Sequence, residues 1–581
     1  MLEKRITAPS PRGSLPSARA AAIALVATLA AFAQPSASGA APTRPPVDEK
    51  RLRQHIEVLA SDAFEGRAPG TPGEAKTVAY LINQFKQAGL QPGGTGGSWT
   101  QDVPIVGIKT TVTGSFNNTG QSSPLTYPQD FVAWSPRLTP TTTVTDSEVV
   151  FVGYGVTAPE YGWDDYRGID VRGKTVVMLV NDPQIPDPQN PDQLDEHMFK
   201  GNAMTYYGRW TYKFEEAGRR GAAAALVIHE TKPAAYPWFV VVNSWGRERF
   251  DLTGNSSPRV DIAGWLSLER AQKLFADNGT TYEAAKAAAN RRDFRALPLK
   301  EKASFAAQST QRSVRSKNVL AKLPGASRPL RDEWLIYTAH WDHLGRDPKL
   351  TGDQIFNGAL DNAAGTAGLL ELARVFRATT PRPPRTVLFL AVTAEEQGLL
   401  GSAYYAAHPV HPLTRTVANI NMDGLNQWGR TRDVEIVGAG NSSLEDVLTR
   451  AAADQGRVTK PGSHPERGSF YRSDHFEFMK LGLPALYAKS GLDYRDHPAG
   501  YGENRVTEYI DRDYHKVSDE IKPDWDLSGA VEDLELLRTV GIEVGTAPQW
   551  PTWREGSEFK AIRDQSMSAA PSASPRSRRT P

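Results

Sequence analysis

The sequence predicts an α/β protein whose central sheet is mostly parallel and which also contains a separate β-rich region. Short, nearly continuous apolar runs with helical segments between them recur at 335–339, 386–393, 416–421 and 485–488. Such runs are typical of strands buried on both faces, because parallel strands carry helices on each side. Between 98 and 182 the chain has short β-branched runs separated by Gly, Pro and Asn. That texture predicts the β-rich region.

Length and composition limit the possible classes of protein. A chain of 581 residues is too long for one core, since cores stop growing near about 250 to 300 residues. Hydrophobic content of 39% and charged content of 23% predict a folded protein. The 67 Lys and Arg residues balance 66 Asp and Glu residues, so nothing indicates a nucleic-acid-binding protein. With no cysteines, any metal must be held by His and carboxylates.

The first 41 residues have the pattern of an export signal and spacer. Basic residues precede an apolar stretch at 20–33, and Ala31-Phe32-Ala33 has the small-x-small form of a cleavage site. The apolar stretch is shorter than the about 20 residues that span a bilayer, so a retained anchor is the weaker interpretation. No later segment of the sequence is apolar enough to span a membrane. The sequence therefore predicts export to the periplasm or the medium, with the signal peptide removed.

Histidine and acidic residues directly follow three of the predicted strands. His340 and Asp342 follow the first, Glu395 and Glu396 the second, and Asp423 the third. Open α/β sheets bind ligands at the carboxyl ends of their strands, so these groups can converge. Each pair alone would indicate only a surface or structural role. Their shared position at strand ends indicates a chemical site.

Asp361 belongs to a different local pattern. It lies in Asn357-Gly-Ala-Leu-Asp-Asn-Ala-Ala-Gly365, directly before an amphipathic helix predicted for 366–376. The amino end of a helix favours and orients a carboxylate. Alone, Asp361 would be an ordinary helix cap. Beside the three strand-end groups it becomes a further candidate ligand.

Seven stretches of the chain occur in the order found in one known family. They are Ser61-Asp-Ala-Phe-Glu-Gly-Arg67, Ala339-His-Trp-Asp-His-Leu-Gly345, Asn357 to Gly365, Glu395-Glu-Gln-Gly-Leu-Leu-Gly-Ser402, Asn421-Met-Asp-Gly424, Arg472-Ser-Asp-His475 and Tyr514-His-Lys-Val-Ser-Asp519. The chain thereby resembles the M28 zinc peptidases, especially bacterial aminopeptidases with an inserted protease-associated (PA) domain. Three more stretches, 151–155, 163–168 and 173–177, resemble the PA domain itself.

The resemblance implies a three-layer α/β/α sandwich with a mostly parallel central sheet and an inserted β-rich PA domain. It divides the chain into a first part of the peptidase domain at 48–135, a PA-like insertion at 136–310 and the main peptidase part at 311–548. The signal peptide and spacer occupy 1–41. The tail at 564–581 is rich in Ser, Pro, Ala and Arg and is predicted to be disordered.

The resemblance also assigns the metal ligands. His340 and Asp423 would hold one zinc ion, Glu396 and His515 would hold a second, and Asp361 would bridge them. Imidazole nitrogen and carboxylate oxygen suit Zn²⁺. Two ions roughly 3.5 to 4 Å apart can acidify a water molecule and polarise the scissile carbonyl. The predicted cofactor is therefore two zinc ions per chain.

Four further residues receive roles around these ligands. Glu395 would be the general base that takes the proton of the water and passes it to the leaving amine. Tyr514, by resemblance to some family members, would donate a hydrogen bond to the oxyanion, with a packed aromatic as the alternative. Asp342 would accept the second N–H of the first ligand imidazole. Asp519 would support the last ligand histidine.

The remaining histidines are expected to have ordinary surface or structural roles, since they lack a paired position at strand ends. They are His343, His408, His411, His464 and His497. His497 is rejected as the last ligand because the stretch around His515 matches the family pattern and its own does not. Asp474 and His475 are expected to shape the site without contacting metal.

The predicted activity is hydrolysis of amino-terminal residues from peptides that have a free amino terminus. Glutamate carboxypeptidase, dipeptidase and glutaminyl cyclase activities stay open within the same family. A carboxypeptidase needs cationic groups for a free carboxylate, whereas an aminopeptidase needs acidic groups for a free amine. A non-catalytic receptor on this fold would lack a ligand or the base, and none is missing. A serine hydrolase would need a Gly-x-Ser-x-Gly turn, which the sequence lacks.

We expect the mature chain to begin between Gln34 and Pro42 and to be found outside the cytoplasm, because basic, apolar and small-residue segments follow one another in signal-peptide order. Amino-terminal sequencing of protein from the producing organism, after separation of cytoplasmic and exported fractions, measures this. Exported material that still begins at Met1 would contradict the prediction.

Overall fold

The structure, a computed structural model, describes residues 43–118 and 120–569. The predicted signal segment lies outside these described residues. Within the described ranges, no helix combines the length and the apolar character needed to cross a membrane.

The strands, in chain order, are β1 (Gln91–Pro92), β2 (Thr100–Asn118), β3 (Gln121–Leu125), β4 (Phe131–Trp134), β5 (Thr141–Phe151), β6 (Thr157–Ala158), β7 (Trp163–Asp164), β8 (Thr175–Leu179), β9 (Ala224–Ile228), β10 (Arg249–Leu252), β11 (Ile262–Leu266), β12 (Leu297–Leu323), β13 (Trp334–His340), β14 (Gly345–Arg346), β15 (Ile355–Phe356), β16 (Thr386–Val392), β17 (Thr416–Asn421), β18 (Asp433–Ile436), β19 (Val458–Pro461) and β20 (Ala485–Ser490).

The α-helices are α1 (Glu49–Leu59), α2 (Pro72–Gln87), α3 (Trp210–Arg219), α4 (Thr231–Ala234), α5 (Trp238–Trp245), α6 (Leu268–Asp277), α7 (Tyr282–Ala289), α8 (Gly365–Ala378), α9 (Leu400–Ala407), α10 (Leu444–Asp454), α11 (His475–Met479), α12 (Tyr501–Arg512), α13 (Ser528–Thr546) and α14 (Lys560–Ala569).

The four apolar runs of the second half form neighbouring strands of one sheet, in the order β20-β17-β13-β16. These strands pair in parallel, and β18 and β12 flank them antiparallel. Every residue of β13, β16 and β17 is buried. Strands without a solvent-facing side carry no polar alternation, which is why they read as continuous apolar runs. The predicted α/β fold with a mostly parallel sheet is confirmed.

Helices cover both faces of this sheet. Leu335 and Tyr337 lie in one core, which includes residues of α8 and α13. Ile336, between them, lies in a second core with Tyr405 of α9 and Phe478 of α11. Because successive side chains of a strand point to opposite faces, one strand contributes to both cores. The sheet and the helices on its two faces therefore form three layers.

The long strand β12 connects this sheet to the β-rich region. It pairs with β16 at one end and with β2 and β5 elsewhere. Beyond β5 the sheet continues through β8, β9 and β11 in parallel and ends at β4, which is antiparallel. The β-rich region predicted for 98–182 is present, and helices α3 to α7 accompany its later strands. The boundaries predicted for the PA-like insertion, 136–310, stay a prediction.

Residues 564–569, for which the composition predicts disorder, form the end of helix α14. Phe559, just before this helix, is buried, and Arg563 within it donates to two backbone carbonyls at 2.9 Å each. A few anchoring contacts thus order a segment whose composition is poor in apolar residues. Residues 570–581 lie outside the described residues.

Helix α13 lies against β13 where Gly541 meets Tyr337, whose hydroxyl donates to the carbonyl of Leu537 at 2.7 Å. A methyl group at Gly541 would collide with that hydroxyl oxygen. We therefore expect Gly541→Ala to lower the free energy of unfolding by about 1 to 3 kcal/mol. Denaturant-induced unfolding followed by circular dichroism measures the change.

The matched control is Tyr337→Phe, which removes the colliding oxygen and, alone, loses one hydrogen bond worth about 1 kcal/mol. The loss of stability measured for the double variant should be clearly smaller than the sum of the two single losses, because the closest collision, with the hydroxyl oxygen, is removed and only contacts with ring carbons stay tight. Simple additivity of the two single variants would contradict this packing.

Candidate metal centre

The register of the parallel strands brings three chain segments to one edge of the sheet. His340 ends β13, Val392 ends the adjacent β16 and Asn421 ends β17 on the other side. Glu395 and Asp423 lie in the turns that follow β16 and β17. Their convergence, expected from the strand-end pattern, is observed.

The five side chains predicted as ligands lie together. His340 Nε2 is 3.4 Å from Asp361 Oδ1 and 3.3 Å from Asp423 Oδ1. His515 Nε2 is 3.2 Å from Asp361 Oδ2 and 3.2 Å from Glu396 Oε2. Asp361 thus presents one carboxylate oxygen to each histidine. Their metal-binding roles stay a prediction that this geometry suits.

The spacing of these atoms distinguishes shared ligation from direct hydrogen bonding. Two ligand atoms about 2.0 to 2.1 Å from one tetrahedral zinc ion lie about 3.3 Å from each other. A charge-assisted hydrogen bond between the same groups would be about 2.7 to 2.9 Å long. The four observed distances, 3.2 to 3.4 Å, match the first value. Two imidazoles and three carboxylates therefore fit a pair of zinc ions both in chemistry and in spacing.

Two groups of three side chains each bring their metal-ligating atoms within 4.8 Å of one another: His340, Glu395 and Asp423 form one, and His343, Asp361 and Glu396 form the other. Sequence reasoning missed His343, which is fully buried, with Nδ1 2.5 Å from Glu396 Oε1. This distance is well below the spacing of two atoms that share one ion and corresponds to a direct, short hydrogen bond. His343 therefore holds one oxygen of Glu396 while His515 faces the other. The available signal was its position three residues after His340.

Burial and crowding set the charges of the cluster. Burial raises the pKa of Glu395 well above its ordinary value; His340 opposes this shift, and the nearby Asp423 and Glu396 carboxylates add to it. Burial also disfavours ionised Asp361, but contacts with the two histidines hold its pKa well below the ordinary value. A buried group of carboxylates is stabilised by a bound cation, which offsets the loss of hydration.

The carboxylate of Asp342 does not reach the ring of His340, because Oδ1 lies 3.7 Å from Nδ1. The ring nitrogen lies 3.2 Å from the main-chain oxygen of Asp342 instead. The Asp342 carboxylate accepts the N–H of Glu395 at 3.1 Å. Its role differs from the predicted one: it ties the loop after β13 to the loop after β16.

Asp519 also contacts a different ligand from the one expected. It accepts the backbone N–H groups of Leu360 and Asp361 at 3.0 and 3.2 Å and so holds the Asp361 loop. His515 is supported by Ser244 of α5, whose Oγ lies 2.8 Å from its Nδ1. The support for His515 thus comes from the region predicted to be the PA-like insertion.

Tyr514 lies beside the cluster, and its hydroxyl accepts a hydrogen bond from Arg472 at 3.0 Å. Burial raises the pKa of Tyr514, so its hydroxyl keeps its proton and can donate. Asp474 is fully buried and accepts a hydrogen bond from Ser402 at 2.6 Å. His497 stacks on Tyr501 at 3.7 Å and lies outside both groups of metal-ligating atoms.

Two cavities open beside the cluster, and both are lined by Glu395, Glu396, Arg472 and Tyr514. The apolar cavity, of about 300 Å³, borders Asp361 and Asp423. Apolar side chains make up most of its wall, among them Leu360, Met422, Leu425, Val506, Ile510 and Leu536. The basic cavity, of about 210 Å³, borders Glu396 and His515 and is lined by residues of α3 and α5.

The family model of peptidase family M28 matches residues 318–537. The chain carries an M28 peptidase domain. That match contains all five candidate ligands together with Glu395 and Tyr514, so the whole cluster lies within the M28 domain.

The matches to individual relatives are either short or low in sequence identity. A "Probable zinc metalloprotease" of Pyricularia oryzae is 38% identical over 112 residues, 19% of this chain and 20% of that protein. Aminopeptidase YwaD of Bacillus subtilis is 31% identical over 158 residues, 26% of this chain and 30% of that protein. A glutamate carboxypeptidase 2 homolog of Caenorhabditis briggsae is 25% identical over 59% of this chain and 46% of that protein. The chain spans less than half the length of these curated relatives.

Similar solved structures cover more of the chain at lower identity. An aminopeptidase from Aneurinibacillus sp. strain AM-1 covers 87% of this chain and 95% of its own at 19% identity, with a TM-score of 0.49. BSAP, a zinc aminopeptidase from Bacillus subtilis, covers 89% and 98% at 17% identity, with a TM-score of 0.45.

Arg67 contacts the loops that carry candidate ligands of the M28 domain. It is 1% exposed. Its guanidinium donates to the carbonyls of Trp341 at 2.9 Å, Asn357 at 2.5 Å and Gly358 at 2.9 Å, and to Leu59 at 2.7 Å. One side chain therefore joins helix α1 to the loops that flank two of the candidate ligands.

We expect Arg67→Met to lower the free energy of unfolding by about 2 to 4 kcal/mol, because it leaves several buried carbonyl groups without donors. Calorimetric or denaturant unfolding of the purified protein measures the loss. Arg172→Met is the control, since Arg172 is 79% exposed and should change stability little. Equal unfolding midpoints for the two variants would show that the Arg67 contacts contribute nothing.

Proposed function

We propose that the protein is an exported di-zinc aminopeptidase that removes amino-terminal residues from peptides. The observation that carries the proposal is the position of Asp361, whose two oxygens face two different histidines at the spacing of shared ligands. The M28 domain match supports peptidase chemistry. The names of the relatives in Pyricularia oryzae and Bacillus subtilis, a zinc metalloprotease and an aminopeptidase, support the same class.

In this proposal His340 and Asp423 hold one zinc ion, Glu396 and His515 hold the other, and Asp361 is shared. When bound, two zinc ions supply polarisation of the peptide carbonyl and acidification of water at the site. Zinc is preferred to magnesium or calcium because imidazole nitrogens are part of both donor sets.

Glu395 is the proposed general base. Its carboxylate accepts no hydrogen bond from any other residue that the structure describes, and its Oε2 lies 3.9 Å from His340 Nε2. It lines both cavities, so it borders the space on either side of a bound peptide. From there it can take a proton from the attacking water and deliver it to the leaving amine. Tyr514 is positioned to donate its hydroxyl proton to the oxyanion.

The apolar cavity supports an amino-terminal cleavage site. An apolar side chain in it would place the adjacent backbone beside Asp423 and Asp361, and acidic groups favour a positively charged amino terminus. We therefore propose peptides with a large apolar first residue as substrates. Leucine p-nitroanilide, compared with the same compound blocked by an amino-terminal acetyl group, tests this choice: the free amine should be required.

We expect Glu395→Gln to abolish turnover while bound zinc stays near two ions per chain, whereas Glu396→Gln should lose both zinc and turnover. Glutamine keeps the size of glutamate but cannot accept the proton, a step worth about 10² to 10⁴ in rate. At Glu396 the same change replaces an anionic ligand with a neutral one. Elemental analysis and kcat, measured on the same preparations, test both expectations.

The two substitutions serve as controls for each other, because they make one chemical change at adjacent positions. Loss of zinc in Glu395→Gln together with its retention in Glu396→Gln would exchange the two roles. Full activity of both variants, or of wild-type protein freed of metal by a chelator, would overturn the proposed function.

A further inference from the structure

The basic cavity contains a buried arginine that the proposed hydrolysis does not use. Arg209, directly before α3, is 9% exposed and lines this cavity. Its Nε is buried without a partner, and its guanidinium donates no hydrogen bond to any of the described residues. It packs over the ring of Trp210 at 5.5 Å. A buried N–H without an acceptor, as at this Nε, is costly, and a ligand in the cavity that accepts from the guanidinium would remove that cost.

Arg209 stays charged at neutral pH. Burial lowers its pKa to about 10, and the nearby Arg472 contributes to the shift. Arg472 is committed, because it donates to the hydroxyl of Tyr514. Arg249, 4% exposed in the same cavity, packs over Trp245 at 4.9 Å and makes one weak contact with a carbonyl. The cavity wall carries four basic side chains and four acidic ones, so its formal charge is balanced. Among the four basic side chains, Arg209 is the one whose guanidinium donates no hydrogen bond to any of the described residues.

The carboxylates of the basic cavity have other partners. Glu477 pairs with Lys480 at 2.7 Å. Glu215 accepts a hydrogen bond from Tyr206 at 2.9 Å and lies 3.8 Å from Arg219. The remaining acidic side chains in this wall, Glu395 and Glu396, belong to the metal centre. None of these groups pairs with Arg209, so its charge is available to a ligand.

We propose that the basic cavity binds a substrate carboxylate, with Arg209 as its principal contact. The inference rests on the proposed function and specifies its substrates. The apolar cavity borders Asp423 and the basic cavity borders His515, so a peptide bond at the centre would have one flanking residue in each. A planar guanidinium matches a carboxylate with two parallel hydrogen bonds. Two substrate groups have this chemistry: the free α-carboxylate of a dipeptide, and an acidic side chain at the second position.

The experiment compares kcat/KM within two matched pairs of substrates. Leu-Ala and Leu-Ala-amide differ only in the α-carboxylate, and Leu-Glu-amide and Leu-Gln-amide differ only in the side-chain carboxylate. We expect wild-type protein to favour the carboxylate in at least one pair by about 10- to 100-fold, since hydrogen bonds to charged groups are the stronger kind. The pair that shows the preference identifies the source of the carboxylate.

In Arg209→Gln this preference should fall to about one, and Arg209→Lys, which keeps the charge, should retain part of it. Arg219→Gln is the matched control on α3, because Arg219 is 45% exposed and should keep the wild-type ratio. Circular dichroism and bound zinc establish that each variant is folded and loaded.

A ratio near one in both pairs for wild-type protein overturns the inference without reference to any variant, as does an unchanged ratio in folded Arg209→Gln. Leucine p-nitroanilide, which has no carboxylate, separates this failure from failure of the proposed function. Hydrolysis of the nitroanilide with no carboxylate preference rejects only the carboxylate site. Absence of hydrolysis of every substrate by zinc-loaded wild-type protein rejects both.

Discussion

The shared position of the Asp361 carboxylate is the constraint on which the rest of the site depends. Each of its oxygens must face a different histidine, which leaves the side chain almost no freedom. The surrounding contacts hold it from both sides: Asp519 accepts the N–H of Asp361 itself, and Asn362 Oδ1 accepts the N–H of Gly424, next to a candidate ligand in the turn after β17. Buried carboxylates at this density would repel one another, so the same arrangement that fixes Asp361 also creates the demand for cations.

Sequence predicted the strand-end part of this site because a simple physical rule governs it. Neighbouring parallel strands end at one edge, so His340, Glu395 and Asp423 had to lie near one another once the apolar runs were taken as strands. No comparable rule locates His515. It lies in a turn between α12 and α13, and only the resemblance of its surroundings to a family motif indicated it. Composition likewise indicated the fold class but not the helix at 560–569, which depends on the anchoring of Arg563.

The residues that sequence missed are joined to the site by contacts between distant parts of the chain. Ser244 and His515 are 271 residues apart in sequence, and a serine near the end of a mostly apolar helix has no local feature that indicates such a partner. Asp519 lies four residues after His515, so adjacency suggested a contact with that ring; the loop geometry directs its carboxylate to the backbone of Leu360 and Asp361 instead. Sequence spacing predicts which residues share an element, whereas pairing across elements follows from the assembled packing.

The region between β5 and β12 acts on the site in two separable ways. Through α5 it fixes a metal-centre histidine, since Ser244 contacts the ring of His515 and Asn243 donates to its backbone carbonyl at 2.9 Å. At the residue directly before α3 it supplies Arg209 to the wall of the basic cavity, where Arg209 makes no hydrogen bond to a candidate ligand that the structure describes. Ligand geometry must be kept within narrow limits for metal binding, but a cavity wall can change charge without moving a ligand. A substitution of Arg209 can therefore change the charge of this wall while every residue of the M28 match, at 318–537, stays the same.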